Sequence, residues 1–248
     1  MTAARRSPVE ALTAPVEDYL KAIYEIERGA GAAGTNEIAQ RLGCSAASVS
    51  GMIRRLADQG LISHEPYHGA RLTEDGRRAA LKTIRRHRVI EAYLTKALKY
   101  PWDRVHAEAE RLEHAASDDL IDRMAAAIGE PRTDPHGAPI PTREGAVVEP
   151  TYRSVADLGA GERARVARVS DDDGPRLRYL AELGIVPGAQ IRVVSRAPFE
   201  GPITLKVAQH EHPIGASLAA QILVDTGNEP TSSSSTPASG TRKTTPRR

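Results

Sequence analysis

The sequence predicts a mainly α-helical protein with a small β domain towards its C-terminal end. Apolar residues recur at helical spacing as far as about residue 128. Five prolines and three glycines then fall within residues 129–150, a composition typical of a connecting segment. Short β-rich runs follow and indicate a barrel of SH3-like size. The predicted boundaries are residues 9–73 and 74–128 for two helical domains, 129–152 for a Pro-rich linker, 153–225 for the SH3-like domain and 226–248 for a disordered basic tail.

A helix-turn-helix pattern follows the first amphipathic helix, which we expect at Val9–Arg28. Its two helices are predicted at Glu37–Leu42 and Ala46–Gln59. Gly43 lies between them and can adopt the positive φ angle that a tight turn requires. Thr35 is placed to cap the first of the two helices. Both features favour a helix-turn-helix.

Two short strands, Leu61–His64 and Ala70–Thr73, come next and predict a hairpin wing. Helices and a wing in this order are typical of DNA-binding winged-helix domains. Small polar residues and arginines on the outer face of the second helix suit close approach to phosphates and thymine methyl groups. A helical hairpin with a surface β-turn is the alternative. The predicted DNA contacts are Thr35, Ser45, Ala47, Ser48, Ser50, Gly51, Arg54, Arg55, His68 and Arg71.

The overall charge argues against a nucleic-acid partner, because 34 basic residues oppose 32 acidic residues. The charge is segregated along the chain, however. Residues 1–100 carry a net charge of +5, and residues 101–130 carry a net charge of −5. This division predicts an anionic partner for the first segment and a cationic one for the second.

Other features of the sequence exclude whole classes of protein. A single cysteine excludes a disulfide framework, and it excludes a Cys-only zinc or iron–sulfur site within one chain. No apolar run approaches the ~18–20 residues of a membrane span. The N-terminus lacks the apolar segment of a signal peptide, so we expect a cytoplasmic protein without a membrane partner.

Six histidine and glutamate side chains are spaced so that two consecutive helices would bring them together. His87 and Glu91 are four residues apart on the predicted helix Glu74–Leu98 and share a face. The other four span an arc of roughly 100° on a second predicted helix, Asp103–Met124. Such groups are costly at the edge of a core unless cations neutralise them, which predicts a divalent metal. An exposed surface stripe is the alternative for any single pair. The four are His106, Glu110, Glu113 and His114.

With these patterns in place, the chain resembles the diphtheria toxin repressor family of metal-dependent transcriptional regulators. The resemblance covers about residues 9–225, and its spacing is specific, with 19 residues from His87 to His106. Besides the winged helix, the matching stretches are Val16–Leu20 with Ile23 and Tyr24, Arg86–Glu91, Val105–Glu110 running into Glu113 and His114, Ser117 with Asp118, Asp134–Gly137 and Pro139–Pro141.

The resemblance implies two metal sites per chain, a homodimer formed through the second helical domain and a double-stranded DNA operator. The primary site would use Asp18 together with Glu110, Glu113 and His114. The ancillary site would use His87, Glu91 and His106, and Asp173 falls near the position of a further glutamate ligand of the family. Arg176 falls where the family usually has a glutamine ligand.

The primary site departs from iron-responsive members of the family at two positions. Those members place methionine at the Asp18 position and cysteine at the Glu110 position, whereas both are carboxylates here. Hard oxygen ligands with one imidazole suit Mn²⁺ better than thiolate-preferring metals. Lys21 stands where the short, two-domain manganese regulators have a glutamate, which predicts separate sites rather than a closely spaced binuclear cluster.

The sequence therefore predicts a Mn²⁺-activated, homodimeric repressor of manganese uptake genes that binds palindromic operators. It predicts neither an enzyme nor a small-molecule substrate. Three alternatives stay open: an Fe²⁺-responsive regulator of the same family, a metal-dependent hydrolase that uses the His/Glu stripe, and a winged-helix regulator of an organic ligand. Candidate dimer contacts are Leu112, Leu120, Ile121 and Met124, for which the core of the helical domain is an equally good interpretation.

Overall fold

The computed structural model describes residues 12–65, 68–170 and 173–227, and it confirms the predicted fold class. Within these residues, three units follow one another: a winged helix, a helical domain and an antiparallel β domain. The helices are α1 Ala14–Ala30, α2 Thr35–Leu42, α3 Ala46–Asp58, α4 Glu74–Leu98, α5 Val105–Leu112, α6 Asp118–Ala127, α7 Gly174–Glu182 and α8 Ala216–Ala219. The strands are β1 Ile62–Glu65, β2 Gly69–Leu72, β3 Arg153–Ser154, β4 Arg163–Val169, β5 Gln190–Arg196, β6 Ile203–Val207, β7 His210–Ile214 and β8 Ile222–Asp225.

The winged helix consists of α1, α2, α3 and the hairpin of β1 and β2 around one apolar core. Gly43 adopts the left-handed conformation that the turn between α2 and α3 requires, with φ at 62°. The predicted cap of α2 is wrong by one residue. Gly34 is the N-cap, and its backbone nitrogen donates a hydrogen bond to the carboxylate of Glu37 at 3.0 Å. Thr35 is therefore the first residue of the helix.

Gly76 lies where the start of α4 packs against the backbone of Leu61. A Cβ atom on Gly76 would lie 1.9 Å from the carbonyl oxygen of Leu61, whereas one on Gly51 would meet nothing within 4 Å. We therefore expect Gly76→Ala to lower the free energy of unfolding by about 1–3 kcal/mol. The matched variant Gly51→Ala should raise it by about 0.5–1 kcal/mol. Chemical denaturation of the metal-free protein measures both, and equal effects would contradict this packing.

Helix α4 has the predicted bounds and joins two cores. Its first half contributes Ala80, Leu81 and Ile84 to the core of the winged helix. Its second half contributes Val89, Ile90 and Leu94 to a second core with α5 and α6. One helix therefore contributes side chains to both the winged helix and the helical domain.

The predicted helix Asp103–Met124 is wrong, because the chain forms the two shorter helices α5 and α6 instead. Ser117 is the N-cap of α6, and its Oγ accepts a hydrogen bond from the backbone nitrogen of Leu120 at 3.3 Å. Asp118 in the first turn adds a favourable charge at the helix N-terminus. Apolar residues keep their helical spacing across this break, so the spacing alone predicts one continuous helix. As a result, Glu113 and His114 follow the end of α5 rather than continuing a helical stripe.

The middle of the predicted linker is packed into the protein. Asp134 is buried, and its Oδ1 accepts hydrogen bonds from the backbone nitrogens of His136 and Ala138 at 2.8 and 2.9 Å. The backbone oxygen of His136 accepts a bond from the nitrogen of Val169 in β4 at 3.0 Å. Gly137 has a φ of 93°, and a Cβ there would lie 2.0 Å from the carbonyl oxygen of Ala167. The turn at residues 134–138 therefore fastens the β domain to the helical domain.

The β domain is a six-stranded antiparallel sheet in the order β3-β8-β4-β5-β6-β7, with α7 and α8 beside it. The β-rich runs Ala164–Val169, Gln190–Val194 and Ile203–Val207 of the sequence predict β4, β5 and β6, whereas β7, β8 and α7 were not predicted. Residues 171–175 read as a turn because they contain Gly174 and Pro175. Both lie in the first turn of α7, where proline fits without loss of a hydrogen bond, and Asp173 caps the helix.

The predicted tail beyond residue 227 lies outside the described residues. No helix among the described residues is long and apolar enough to span a membrane.

Candidate metal centre

Three groups of candidate ligands lie where α1, α4, α5 and the turn at residues 134–138 meet. The ligating atoms of each group lie within 4.8 Å of one another. All of them are carboxylate oxygens or imidazole nitrogens. Cluster 1 is Asp18, Glu113 and His114; cluster 2 is His87, His106 and Glu110; cluster 3 is Glu91, Asp134 and His136.

Cluster 1 joins the winged helix to the helical domain. Nε2 of His114 lies 2.9 Å from Oδ1 of Asp18 on α1 and 3.5 Å from Oε1 of the buried Glu113. Burial raises the pKa of the Asp18 carboxyl. Burial opposes a charged His114, but a hydrogen bond to Glu17 and the nearby carboxylates raise the pKa of that imidazole. Several acceptors thus converge on one point and favour a cation there.

The ammonium group of Lys21 lies between clusters 1 and 2. Its Nζ donates to Oε1 of Glu110 at 2.6 Å and to both carboxylate oxygens of Glu113 at 3.1 Å. Nδ1 of His87 lies 3.4 Å from the same atom. Burial alone would lower the pKa of Lys21, but Glu113 and Glu110 hold it above its ordinary value. Lys21 therefore supplies one positive charge to a group of ligands from both clusters.

Cluster 2 contains an imidazole pair beside buried carboxylates. Nε2 of His87 lies 3.1 Å from both Nδ1 of His106 and Oε1 of Glu91, and its Nδ1 lies 2.5 Å from Glu113. Burial disfavours the charged form of His87, yet hydrogen bonds to Glu113 and Glu91 raise its pKa to about 10. Glu91 is also buried, and hydrogen bonds from His106 and His87 lower its pKa. Oε1 of Glu110 lies 3.7 Å from a nitrogen of each histidine.

Cluster 3 presents an imidazole lone pair to buried carboxylates. Nε2 of His136 lies 2.8 Å from the backbone oxygen of Trp102, an atom that can only accept, so Nε2 carries the proton. Nδ1 is then an acceptor; it lies 3.9 Å from Oε1 of Glu91 and has no hydrogen-bond partner among the described residues. Facing acceptors in a buried site are unfavourable unless a cation lies between them. The donor set of cluster 3 therefore fits a divalent metal.

The three clusters do not group the ligands in the same way as the predicted primary and ancillary sites. Asp18, Glu113 and His114 lie together, while Glu110 of the predicted primary site groups with His87 and His106. Glu91 of the predicted ancillary site contacts both of these histidines and also belongs to cluster 3. The two sites are therefore parts of one continuous network.

Asp173 has other contacts in the structure. Its Oδ1 accepts a hydrogen bond from the backbone nitrogen of Arg176 at 3.0 Å, as the N-cap of α7. Its Oδ2 lies 3.4 Å from the guanidinium of Arg176. Asp173 is a member of none of the three clusters, and a metal bond from it stays a prediction.

Asp134 and His136 are not among the ligands predicted from the sequence. Asp134–Gly137 contributed only to the family resemblance. An acidic residue and a histidine two positions apart in a Pro-rich segment were the available signal. Their partner Glu91 lies 43 positions before Asp134, so only the folded chain brings the three together.

The predicted DNA-contacting surface is exposed. Ser45, the N-cap of α3, is exposed, and so are the predicted contacts on the outer face of that helix. His68 and Arg71 are exposed on the wing, and Thr35 is half-buried. Oγ of Ser50 donates to the backbone oxygen of Ala46 at 2.9 Å, which fixes that hydroxyl on its own helix. Contacts with DNA stay a prediction for all of these residues. The predicted contacts on α3, all of them exposed, are Ala47, Ser48, Ser50, Gly51, Arg54 and Arg55.

Comparisons with known proteins match each part of the chain. Residues 11–70 match the model of the iron-dependent repressor N-terminal DNA-binding domain, and residues 73–142 match that of the metal-binding and dimerisation domain of iron-dependent repressors. Residues 153–226 match the FeoA domain.

Relatives match over nearly their whole length. The iron-dependent repressor IdeR of Mycobacterium tuberculosis is 31% identical over 208 residues, which are 79% of this chain and 90% of IdeR. A solved manganese-dependent transcriptional repressor in complex with manganese is 41% identical, with a TM-score of 0.79 over 85% of this chain and 99% of that chain. A structure of ScaR with bound Cd²⁺ is 31% identical, with a TM-score of 0.74 over 85% of this chain and 98% of that chain.

Proposed function

Because the chain belongs to the diphtheria toxin repressor family of metal-dependent transcriptional repressors, we propose that it is a cytoplasmic, Mn²⁺-activated homodimer that represses manganese uptake genes. Its relatives are transcriptional repressors and not enzymes, which removes the hydrolase alternative. The observation that carries the proposal is cluster 1, where Asp18 of the DNA-binding domain meets His114 of the helical domain at 2.9 Å. When bound there, a divalent ion would supply the positive charge that these acceptors lack.

Asp18 and His114 belong to different domains, so ligation by both would hold the winged helix against the helical domain. In a homodimer this fixes the separation of the two recognition helices, and palindromic operators require a fixed separation. Leu112 and Leu120 support dimerisation through the helical domain, because 38% and 44% of their surfaces are exposed. Ile121 is 1% exposed within one chain and packs in its core instead, so we do not retain it as a dimer contact.

The donor chemistry favours Mn²⁺. Clusters 1 and 3 each combine two carboxylates with one imidazole, a donor set that suits Mn²⁺ better than thiolate-preferring metals. The single cysteine, Cys44, lies in the helix-turn-helix turn with its Sγ 3.4 Å from the hydroxyl of Tyr19. An Fe²⁺-responsive regulator is the second candidate, because relatives such as IdeR are named iron-dependent.

The test is the affinity of the full chain for an operator duplex, selected from a random library with metal-loaded protein, in the presence of Mn²⁺, Fe²⁺ or Zn²⁺. Fe²⁺ and Zn²⁺ generally bind N/O sites more tightly than Mn²⁺, so selectivity must come from geometry. We expect Mn²⁺ at saturation to give the largest gain in operator affinity. A larger gain with Fe²⁺ would identify an iron regulator, and equal affinity with and without metal would contradict the proposal as a whole.

A further inference from the structure

Glu17 is a buried carboxylate that the predicted ligand sets do not include. It precedes Asp18 on α1 and is 9% exposed. Its Oε2 lies 2.7 Å from Nδ1 of His114, and its Oε1 accepts a hydrogen bond from the guanidinium of Arg86. Glu17 thus contacts the nitrogen of His114 that faces away from Asp18 and Glu113.

We propose that Glu17 is the positioning residue of cluster 1, which fixes the tautomer of His114 so that Nε2 offers its lone pair to a metal ion. The inference rests on the proposed metal-binding function of that cluster. A neutral imidazole carries one proton, and the hydrogen bond made by one nitrogen decides which nitrogen can bind a metal. The carboxylates of Glu17 and Asp18 can only accept, so when a metal ion takes the lone pair of Nε2 the remaining proton of the neutral ring stays on Nδ1, where Glu17 accepts it.

The geometry on both sides of the ring agrees with this role. Nδ1 faces Glu17 at 2.7 Å, and Nε2 faces Asp18 at 2.9 Å and Glu113 at 3.5 Å. Two neighbouring residues of α1 therefore contact opposite nitrogens of the same imidazole. A metal bound to Nε2 would have both carboxylates of the cluster beside it.

Arg86 holds Glu17 in this orientation. Its guanidinium donates a hydrogen bond to Oε1 of Glu17 and a second one to Oγ1 of Thr83 at 3.3 Å. The same guanidinium lies 3.7 Å from the carboxylate of Asp118. With one oxygen of Glu17 engaged by Arg86, the other stays directed at His114. The competing interpretation is that Glu17 serves only as the counter-ion of Arg86.

Glu17→Gln separates the two interpretations, because an amide has one accepting oxygen and one donating nitrogen. Arg86 can only donate, so the amide oxygen should turn to Arg86 and the amide nitrogen to Nδ1 of His114. His114 must then carry its proton on Nε2, where it blocks metal binding. Asp122→Asn is the matched control, since Asp122 pairs with Arg85 and Arg143 and belongs to none of the clusters.

We expect Glu17→Gln to weaken Mn²⁺ binding at cluster 1 by about 10- to 100-fold, and Asp122→Asn to leave it unchanged. Isothermal titration of the full chain with Mn²⁺ measures this. Equal affinity of Glu17→Gln and wild type, or an equal loss in Asp122→Asn, would overturn the positioning role. Wild-type protein that binds no Mn²⁺ would instead overturn the proposed function.

A spectroscopic readout tests the tautomer itself, independently of any effect of the substitution on folding. In wild-type protein with ¹⁵N-labelled histidine and bound ¹¹³Cd²⁺, the Cd–N coupling of His114 should appear at Nε2. In Glu17→Gln that coupling should disappear or move to Nδ1. Coupling at Nδ1 in the wild type, or unchanged coupling at Nε2 in Glu17→Gln, would overturn the inference.

Discussion

Replacing Asp18 with asparagine should remove most of the metal-dependent gain in operator affinity. Asp18 is the member of cluster 1 that α1 contributes, while Glu113 and His114 follow α5. An amide is a weaker ligand than a carboxylate and lacks its charge. Metal could still bind in the helical domain, but it would no longer hold the winged helix. We therefore expect loss of DNA coupling without complete loss of metal binding.

The size of the effect follows from the coupling between the two sites. Allosteric coupling free energies are typically about 1–3 kcal/mol, or roughly 5- to 150-fold in affinity. Asp18→Asn should therefore reduce the gain in operator affinity produced by Mn²⁺ from as much as ~100-fold to a few-fold at most. Fluorescence anisotropy of a labelled duplex with and without Mn²⁺ measures it.

Glu149→Gln provides the matched control for Asp18→Asn. Glu149 also pairs with α1, through Arg28 at 2.8 Å, but it belongs to none of the clusters. We expect this variant to keep the full Mn²⁺ response. If Asp18→Asn kept it as well, cluster 1 could not be the link between metal and DNA.

The second large effect concerns the number of Mn²⁺ ions per chain, which we expect to be two in the wild type and one in His136→Phe. Phenylalanine can retain the stacking on Trp102, where the ring centroids lie 5.5 Å apart, but it removes the lone pair on Nδ1. Cluster 3 then loses its imidazole ligand while cluster 1 is unchanged. Equilibrium dialysis with detection of bound Mn²⁺ gives the count.

His212→Phe is the control for that count, because His212 lies on β7 outside all three clusters. It should still bind two ions. A His136→Phe variant that also bound two ions would contradict a metal site at cluster 3. We expect no ion at cluster 2, because the ammonium of Lys21 already neutralises Glu110 and Glu113, and three ions in the wild type would contradict this.

Local patterns were sufficient to predict the helix that carries His87 and Glu91. Helix α4 has uninterrupted apolar periodicity, and its predicted bounds agree with the structure. His87 and Glu91 share a face because they are four positions apart, and their side-chain atoms lie 3.1 Å apart. Such relations depend on helical geometry alone, so they can be obtained without knowledge of the rest of the fold.

Contacts between distant segments could not be predicted in the same way. The hydrogen bonds of Lys21 with Glu110 and Glu113 depend on how α1 packs beside α5. Cluster 3 depends on a turn that is anchored to β4, a strand more than 25 residues further along the chain. Ser117 could have revealed the break between α5 and α6, because a serine followed by acidic residues is a common helix start.

The most direct test of a metal-linked DNA switch is the affinity of the full chain for Mn²⁺ with and without saturating operator DNA at one ionic strength. Coupling between two binding sites is reciprocal, so the factor by which Mn²⁺ raises DNA affinity must equal the factor by which DNA raises Mn²⁺ affinity. Metal ligation across Asp18 and His114 predicts a matched increase of roughly 5- to 150-fold in both directions. The same Mn²⁺ affinity with and without DNA would contradict it.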